Sequence, residues 1–158
     1  MTKLLLASTS PHKIELLSRL DFEAESAKVD VDEYSLHRES PKGTALLRAR
    51  RKVEVLSERK PNRLILASDQ VLSLDGKLLK KTTSKAECVD QLQRLEGREH
   101  RLITAVALAT PDGQLLMDGV THEMVMRPMN GQEIEAYVEQ DEPIGCLGSY
   151  KIESHGIR

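Results

Sequence analysis

The sequence predicts a mixed α/β protein in which helices flank a central mixed sheet. In the first half of the chain, short apolar runs alternate with segments of helical periodicity, which favours strand–helix units. Asp75-Gly76 stands between apolar runs and is a strong hairpin signal, and long apolar segments follow on both sides of a turn at residues 111–113. Strand–helix units thus come first and antiparallel hairpins later, so we expect a mixed sheet.

The first predicted unit is a strand, a hydroxyl-rich turn and the start of a helix. Residues 4–7 are apolar, residues 8–10 read Ser-Thr-Ser, and Pro11 suits the first helical position with Ser10 as its cap. The apolar stripe of this helix is Ile14, Leu17 and Leu20. Helix N-termini bind phosphates, and His12 and Lys13 enrich this one. The alternative is an ordinary capped turn.

Charged groups surround the second predicted helix, which begins at Ser40-Pro41. The acidic cluster at residues 30–33 precedes it; such clusters are usually solvated loops, although hard cations need these oxygens. The buried stripe is Leu46, Ala49, Val53 and Leu56. The other faces carry a basic run over residues 48–52. Such a run is usually solvated, but one of these cations in a cleft could hold a phosphate.

The central predicted strand begins at residue 64 and is interrupted by Ser68-Asp69-Gln70. We expect this strand to end at Asp69, with a further strand from Val71 leading into the hairpin. A carboxylate at the end of a buried strand lies where α/β sheets usually bind ligands. The alternative is that Asp69 only terminates the strand or caps a turn.

Later elements are predicted from their caps. Ser84 with Glu87, and Asn130 with Glu133, match capping boxes for two further helices. A return strand from Gln114, a further strand over residues 120–126 and a last strand over residues 150–153 complete the prediction. The sequence pattern of residues 22–31 is also compatible with a short strand. The whole chain of 158 residues is expected to form one domain.

Composition excludes several classes of protein. Two widely separated cysteines, Cys88 and Cys146, form neither a disulfide framework nor a zinc site, which favours the cytoplasm. The net charge of −2 argues against bulk nucleic-acid binding, and four aromatic residues are too few for a stacking platform. The pattern indicates neither a membrane span nor a signal peptide.

Several motifs, taken together and in order, resemble the Maf family of nucleoside triphosphate pyrophosphatases. No single motif is very specific, but the ordered set covers nearly the whole chain. The matching stretches are LASTSPHK (6–13), VDE (31–33), Lys52, SDQV (68–71), LEGREH (95–100) and DEPIGCLGSYKIE (141–153). Gln70 after Asp69, and the end of the last motif, are similar to the branch that hydrolyses 7-methyl-GTP. The branch that acts on dTTP and UTP has Thr after the Asp.

The resemblance implies a reaction in which water converts a nucleoside triphosphate to the monophosphate and pyrophosphate. It implies Asp69 as the proton acceptor, a divalent cation such as Mg²⁺ or Mn²⁺, a cytoplasmic setting and a homodimer. It also implies an elongated Maf/ITPase-like fold with a cleft between two lobes.

The same resemblance assigns further site residues. A triphosphate needs cations and N–H groups around it, which points to Lys13, Lys52 and Lys81, with Ser8 and Ser10 at the helix start. Glu33 is the expected metal ligand, through water. The positions that set base specificity are His12, Gln70 and Glu153. A carboxylate at position 153 can accept from the two adjacent donors of guanine and attract the charge of N7-methylation, whereas it would face a carbonyl of uracil or thymine.

Three departures from the family pattern stand out. Lys13 replaces the usual Arg and lacks its bidentate fork. Lys80-Lys81-Thr82 keeps only the Lys of the family's Gly-Lys-Pro. The family pattern continues beyond the position of Arg158, so we expect a C-terminal strand and helix of the family to be missing here. The alternatives to the 7-methyl-GTP enzyme are a dTTP/UTP pyrophosphatase and a non-catalytic nucleotide- or RNA-binding module.

Overall fold

The computed structural model of the protein describes residues 3–20 and 23–156. The strands over these residues are β1 (Leu4–Leu6), β2 (Ala24–Ser26), β3 (Leu64–Leu74), β4 (Lys77–Leu79), β5 (Glu99–Ala109) and β6 (Leu115–Val125). The helices are α1 (Pro11–Ser18), α2 (Pro41–Arg59), α3 (Lys85–Leu95) and α4 (Gly131–Asp141), followed by a 3₁₀ turn over Leu147–Ser149. None of the helices in these two ranges is both long and apolar enough to cross a membrane.

The strands form a mixed sheet, as predicted. Its order is β2-β1-β3-β5-β6, with β4 paired to β3. β1 runs parallel to both β2 and β3, because helical crossovers connect these strands. β3 and β4 are antiparallel across the Asp75-Gly76 turn, whose φ angles of 51° and 77° are both positive. This is the hairpin geometry that the Asp-Gly pair predicted.

The chain divides into two compact units. The first comprises Met1–Gln70 and Ile103–Val120. One of its core clusters packs Leu4, Leu6 and Leu17 against Leu64, Leu66 and Leu108. The predicted stripe of α2 is buried at Ala49, Val53 and Leu56. The sheet and α2 thus supply the apolar frame of the first unit.

The second unit comprises Val71–Leu102 and Thr121–Arg158. Its core is built around α3 and α4, whose buried side chains join those of β3 and the C-terminal segment. The fully buried members include Leu72, Leu92, Leu95, Ile134 and Val138. Asn130 and Glu133 form the predicted capping box, with N–H to side-chain distances of 3.0 and 2.9 Å. The residues that begin α4 therefore match the prediction.

The prediction that a strand ends at Asp69 is wrong. β3 continues through residues 64–74, and its buried positions up to residue 71 are Ile65, Ala67, Asp69 and Val71. Asp69 thus occupies the inward-facing position of a period-two pattern, and the strand need not stop there. The segments predicted separately at residues 114–126 likewise form one strand, β6.

The first helix differs from its prediction in two respects. Ser10 precedes α1 but makes no side-chain cap; instead its N–H donates to Ser8 Oγ at 3.2 Å. Of the predicted stripe only Leu17 is buried, while Ile14 is 39% exposed and Leu20 is 53% exposed. Leu20 lies beyond the end of α1 at Ser18, whereas Ile14 lies within the helix and is still partly exposed. Phe22, at the start of the segment predicted to hold a short strand, lies outside the described residues; β2 falls within that segment.

Two further local predictions need correction. Ser84 Oγ accepts from the Glu87 N–H at 3.2 Å, but the Glu87 carboxylate accepts from the N–H of Thr83 at 2.6 Å rather than from Ser84. The predicted strand at residues 150–153 is absent; a turn follows over residues 152–156. The buried carboxylate of Asp141 accepts from the His155 N–H at 3.1 Å, and this contact favours a turn over an extended strand.

The Gly148 position generates a stability prediction. Its φ is +74°, and an added Cβ would lie 2.6 Å from both Leu72 Cδ1 and the Tyr150 ring. Gly76 has a similar φ of +77°, but nothing lies within 4 Å of an added Cβ. Both Gly→Ala changes impose the left-handed backbone on a residue with a side chain, and only Gly148→Ala adds overpacking.

We expect Gly148→Ala to lower the free energy of unfolding by about 2 kcal/mol more than Gly76→Ala, the usual scale of overpacking. Chemical denaturation of the two variants measures the difference. Equal losses would contradict the close packing around Gly148.

Candidate active site

Three elements of the first unit bring together two carboxylates and one lysine. β3 places Asp69 on its buried face. On α2, Lys52 lies three residues after Ala49 and four before Leu56, so it shares their buried face. The loop before α2 supplies Glu33. The local periodicities of strand and helix thus direct Asp69 and Lys52 inward.

The Lys52 ammonium bridges the two carboxylates. Its Nζ lies 2.7 Å from Asp69 Oδ1 and 2.5 Å from Glu33 Oε1. Lys52 is 8% exposed and Asp69 is 4% exposed. The other Asp69 oxygen, Oδ2, is buried and has no hydrogen-bond partner among the residues described. The carboxylate is therefore held at one oxygen and available at the other.

Burial and charge act in opposite directions on this cluster. Burial raises the pKa of Asp69, Glu33 adds to the rise, and the positive charges of Lys52 and Lys13 offset only part of it. Burial alone would lower the pKa of Lys52, but the Asp69 and Glu33 carboxylates outweigh it and raise that pKa. Lys52 therefore stays charged, and Asp69 is a stronger base than an exposed aspartate.

The loop that carries Glu33 is held by the start of α2. Arg48 Nε donates to the Leu36 carbonyl at 3.1 Å. The Arg38 N–H donates at 2.9 Å to the hydroxyl of Thr44, which is fully buried. These bonds fix the chain on the C-terminal side of Glu33. Neither Thr44 nor the backbone role of Arg48 was predicted from the sequence.

The three carboxylates of the acidic cluster at residues 30–33 make different contacts. Asp30 pairs with Lys28 at 3.2 Å, and Asp32 Oδ1 accepts from the Tyr34 N–H at 3.1 Å. Glu33 alone of the three is paired with Lys52. One carboxylate of the cluster therefore belongs to the candidate site, while the others serve the loop.

The basic run over residues 48–52 is largely occupied by local contacts. Arg50 and Arg51 lie 2.7 and 3.5 Å from the Glu54 carboxylate, and Arg48 holds the loop before α2. Lys52 is the member that points into the site. The run is therefore not a continuous cationic surface.

The start of α1 also reaches β3. Lys13 Nζ donates to the Ser68 carbonyl at 2.7 Å, next to Asp69. Ser8 and Ser10 are half-buried at the turn before the helix, and His12 is exposed. The predicted phosphate-binding turn thus lies beside the strand that carries Asp69.

Gln70 follows Asp69 on β3 and is exposed. Its Nε2 donates to Thr104 Oγ1 on β5 at 2.9 Å. Thr104 was not predicted as a site residue, although a lone hydroxyl within an apolar strand was a signal that could have found it. The bond restricts the orientation of the Gln70 carboxamide.

Lys81 and Glu153 belong to the second unit, and both are exposed. Burial raises the pKa of the Cys146 thiol; among the charges around it, Lys151 and Lys81 lower that pKa and Glu153 raises it. Lys81 and Glu153 therefore share an electrostatic environment around Cys146. Glu153 lies in the turn after residue 151, not in the predicted strand.

The second unit also contains an apolar cavity of about 500 Å³. Its lining includes the methionine and tyrosine side chains of Met124, Met126, Met129, Tyr137 and Tyr150. None of the predicted site residues lines this cavity. We therefore place the candidate chemistry at Asp69 and not in this apolar cavity.

The donor set around Asp69 is suited to a hard cation that also binds water and phosphate. Residues 3–20 and 23–156 contain no group of three or more His, Cys, Asp or Glu side chains able to hold a metal by themselves. Within the described part of the chain, the buried Oδ2 of Asp69 has no partner, and the Glu33 carboxylate lies beside the Lys52 ammonium that holds Asp69 Oδ1. Mg²⁺ characteristically uses one or two carboxylates together with water and substrate phosphates.

Comparison with known proteins identifies the family. A profile of the family described as "Maf-like protein" matches residues 3–158. The chain is 38% identical over 157 residues to a protein of Xanthomonas campestris pv. campestris (strain 8004) named 7-methyl-GTP pyrophosphatase, covering 99% of this chain and 82% of the relative. It is 37% identical over 156 residues to a Symbiobacterium thermophilum protein named dTTP/UTP pyrophosphatase, covering 97% of this chain and 78% of the relative.

Solved structures show the same fold at lower identity. The Staphylococcus aureus Ham1 protein superposes with a TM-score of 0.52 at 15% identity, over 78% of this chain and 71% of that chain. A HAM1 protein from Coxiella burnetii superposes with a TM-score of 0.50 at 19% identity, over 79% of this chain and 73% of that chain. These likenesses support the mixed α/β fold class. With its motifs in order and the profile matched along nearly its whole length, the chain belongs to the Maf-like protein family.

Proposed function

We propose that the protein hydrolyses 7-methyl-GTP, or a related modified nucleoside triphosphate, to the monophosphate and pyrophosphate. The observation that carries the proposal is the Asp69 carboxylate, which Lys52 holds at Oδ1 while the buried Oδ2 has no partner among the described residues. A relative 38% identical is named 7-methyl-GTP pyrophosphatase, which supports the substrate. The dTTP/UTP activity in the name of another relative is the alternative within the family.

Asp69 acts as the general base. Oδ2 accepts a proton from the attacking water, whose oxygen forms a new bond to the α-phosphorus as the bond to the pyrophosphate oxygen breaks. Burial raises the pKa of Asp69, which strengthens the base, and Lys52 keeps the carboxylate ionised. The ion pair with Lys52 also fixes which oxygen faces the water.

Cationic and hydroxyl side chains bind the phosphates. Lys52 uses two of its three N–H donors on carboxylates, so one remains for a phosphate oxygen. Lys13 contributes a second charge beside Asp69, and Ser8 and Ser10 contribute the turn before α1. Lys81, assigned by resemblance to the family, contributes a third charge. Together they offset the charge of the triphosphate.

Glu33 would hold the divalent cation, Mg²⁺ or Mn²⁺, through water. When bound, such a cation would supply positive charge that offsets the negative charge developing in the transition state. Glu33 is suited to this role because α2 holds its loop and Lys52 holds one of its oxygens. This assignment rests on the donor chemistry of the Glu33 carboxylate.

His12, Gln70 and Glu153 set the base specificity. Gln70 is restrained by Thr104, so its carboxamide presents donor and acceptor in a limited range of orientations. Glu153 accepts from the guanine edge and attracts the positive charge of N7-methylation. We also propose a single Maf-like domain over residues 1–158, a homodimer and a cytoplasmic location.

The non-catalytic RNA-binding alternative loses its main support. It rested on the missing C-terminal segment and on the basic run over residues 48–52, but within that run Arg50 and Arg51 pair with Glu54 and Lys52 lies between carboxylates. A surface that binds RNA needs cations free for phosphates. We therefore retain the enzyme as the proposed function.

The first prediction tests the base. Asp69→Asn keeps the side-chain shape and removes the proton acceptor, so we expect pyrophosphate release to fall by about 10² to 10⁴-fold with nucleotide binding retained. Asp90→Asn, an exposed change on α3, is the matched control and should leave turnover unchanged. Undiminished release by Asp69→Asn would show that another group is the base.

The second prediction tests the electrostatics of the site. Lys52 lowers the pKa of Asp69, so Lys52→Met should raise that pKa. Because the ionised carboxylate is the active form, the acid limb of the pH profile of kcat/KM should move to higher pH. Steady-state rates across the acid limb measure the shift, with the exposed Lys42→Met on the same helix as control. A limb that stays in place or moves to lower pH would contradict the coupling.

The third prediction tests which base is read. Glu153→Gln should lower kcat/KM for 7-methyl-GTP more than for UTP, with a loss of about tenfold or more in the ratio, the worth of one charged hydrogen bond. The exposed Glu135→Gln serves as control. Equal losses on the two substrates would remove Glu153 from base recognition.

A further inference from the structure

A buried polar network in the second unit surrounds the segment that carries Lys81. Gln91, on α3, is 7% exposed, and its two polar atoms are both used. Its Nε2 donates to the Lys80 carbonyl at 2.9 Å, and its Oε1 accepts from Ser149 Oγ at 2.8 Å. One side chain thus ties the residue before Lys81 to the loop at residues 145–149.

The residue after Lys81 is tied to the same loop. Thr82 is 6% exposed, and its carbonyl accepts from the Gly145 N–H at 2.9 Å. Its hydroxyl lies 3.3 Å from Ser149 Oγ and 3.1 Å from Cys88 Sγ. Both neighbours of Lys81 are therefore anchored, while Lys81 itself is exposed.

The loop held by this network has an unusual backbone. Gly145, Gly148 and Ser149 all have positive φ, of 77°, 74° and 58°. Ser149 has a side chain and is fully buried, so its conformation must be maintained by its surroundings. The bonds to Gln91 and Thr82 are the contacts that hold it.

We infer that Gln91 is a positioning residue for Lys81, because its carboxamide fixes the backbone next to Lys81 against the loop at residues 145–149. The inference rests on the phosphate-binding role proposed for Lys81. Its Nε2 reaches the residue before Lys81, and its Oε1 reaches the loop that also binds the residue after Lys81. The carboxamide thus holds the start of the lysine's flexible stem in place, which reduces the entropy lost when the ammonium binds phosphate.

The test is a double-mutant cycle between Gln91→Met and Lys81→Ala. Methionine keeps the approximate volume of Gln91 and removes both hydrogen bonds. We expect Gln91→Met to lower kcat/KM for 7-methyl-GTP by about tenfold, less than the roughly hundredfold that a 1 Å misplacement can cause. In the Lys81→Ala background the same change should alter kcat/KM by less than about twofold, because coupled residues are not additive.

The matched control is Gln93→Met, the same substitution at an exposed position of α3. It should leave kcat/KM unchanged in both backgrounds. Thermal unfolding of every variant separates stability from positioning, since the stability loss of Gln91→Met should be equal with and without Lys81. If Gln91→Met does not fold, Ser149→Ala removes the contacts of the Ser149 hydroxyl with Gln91 and Thr82 but keeps the bond from Gln91 to the Lys80 carbonyl, and it should show a loss with the same dependence on Lys81.

A second readout does not require turnover. Inorganic triphosphate titrated by calorimetry should bind Gln91→Met several-fold more weakly than wild type, and equally to Lys81→Ala with or without Gln91→Met. If this pattern holds in a protein that releases no pyrophosphate, the inference stands and the proposed function fails. If pyrophosphate is released but Gln91→Met leaves both readouts unchanged, or reduces them equally in both backgrounds, the inference is overturned and the proposed function stands.

Discussion

The buried ion cluster of Lys52, Asp69 and Glu33 is the constraint on which the first unit depends. A carboxylate in the middle of a buried strand is strongly unfavourable unless a charge or hydrogen bonds compensate it. Lys52 supplies that compensation at 2.7 Å from Asp69 Oδ1. The apolar stripe of α2 must therefore pack against the sheet in the register that brings Lys52 to Asp69.

Other contacts of the first unit follow from this cluster. Lys52 lies beside a second carboxylate, Glu33, and the loop that carries it is tied down by Arg48 and Thr44. Lys13 adds a bond to the strand at the Ser68 carbonyl. The same contacts that make the buried charge tolerable also leave one oxygen of Asp69 available, so stability and chemistry depend on one set of interactions.

The second unit holds its functional segment by neutral hydrogen bonds rather than by an ion pair. Gln91, Thr82 and Ser149 are all buried, and their side chains bond to one another or to the backbone. A satisfied buried network specifies one arrangement of the chain, because any other would leave a polar group without a partner. In each unit, a buried polar side chain with defined partners lies next to a residue that we propose contacts the substrate.

The sequence by itself determined the elements whose signals are local. The Asp-Gly hairpin, the Asn130 cap of α4, the start of α2 at Ser40-Pro41 and the family motifs all depend on neighbouring residues, and their predictions were confirmed. An ambiguous local signal gave a wrong prediction. Three polar residues suggested a break in β3, yet the strand is continuous and Asp69 occupies one of its inward-facing positions.

Only the tertiary structure decided which charged residues meet. Composition and spacing do not distinguish Asp30, Asp32 and Glu33, or the four cations of residues 48–52, and only the family motifs single out Glu33 and Lys52. Lys52 pairs with Glu33, which precedes it in the sequence, and with Asp69, which follows it by 17 residues. Lys13 donates to the Ser68 carbonyl across 55 residues of sequence. Such contacts depend on the packing register of helix against sheet, because burial and opposite charge together select one partner from several chemically equal candidates.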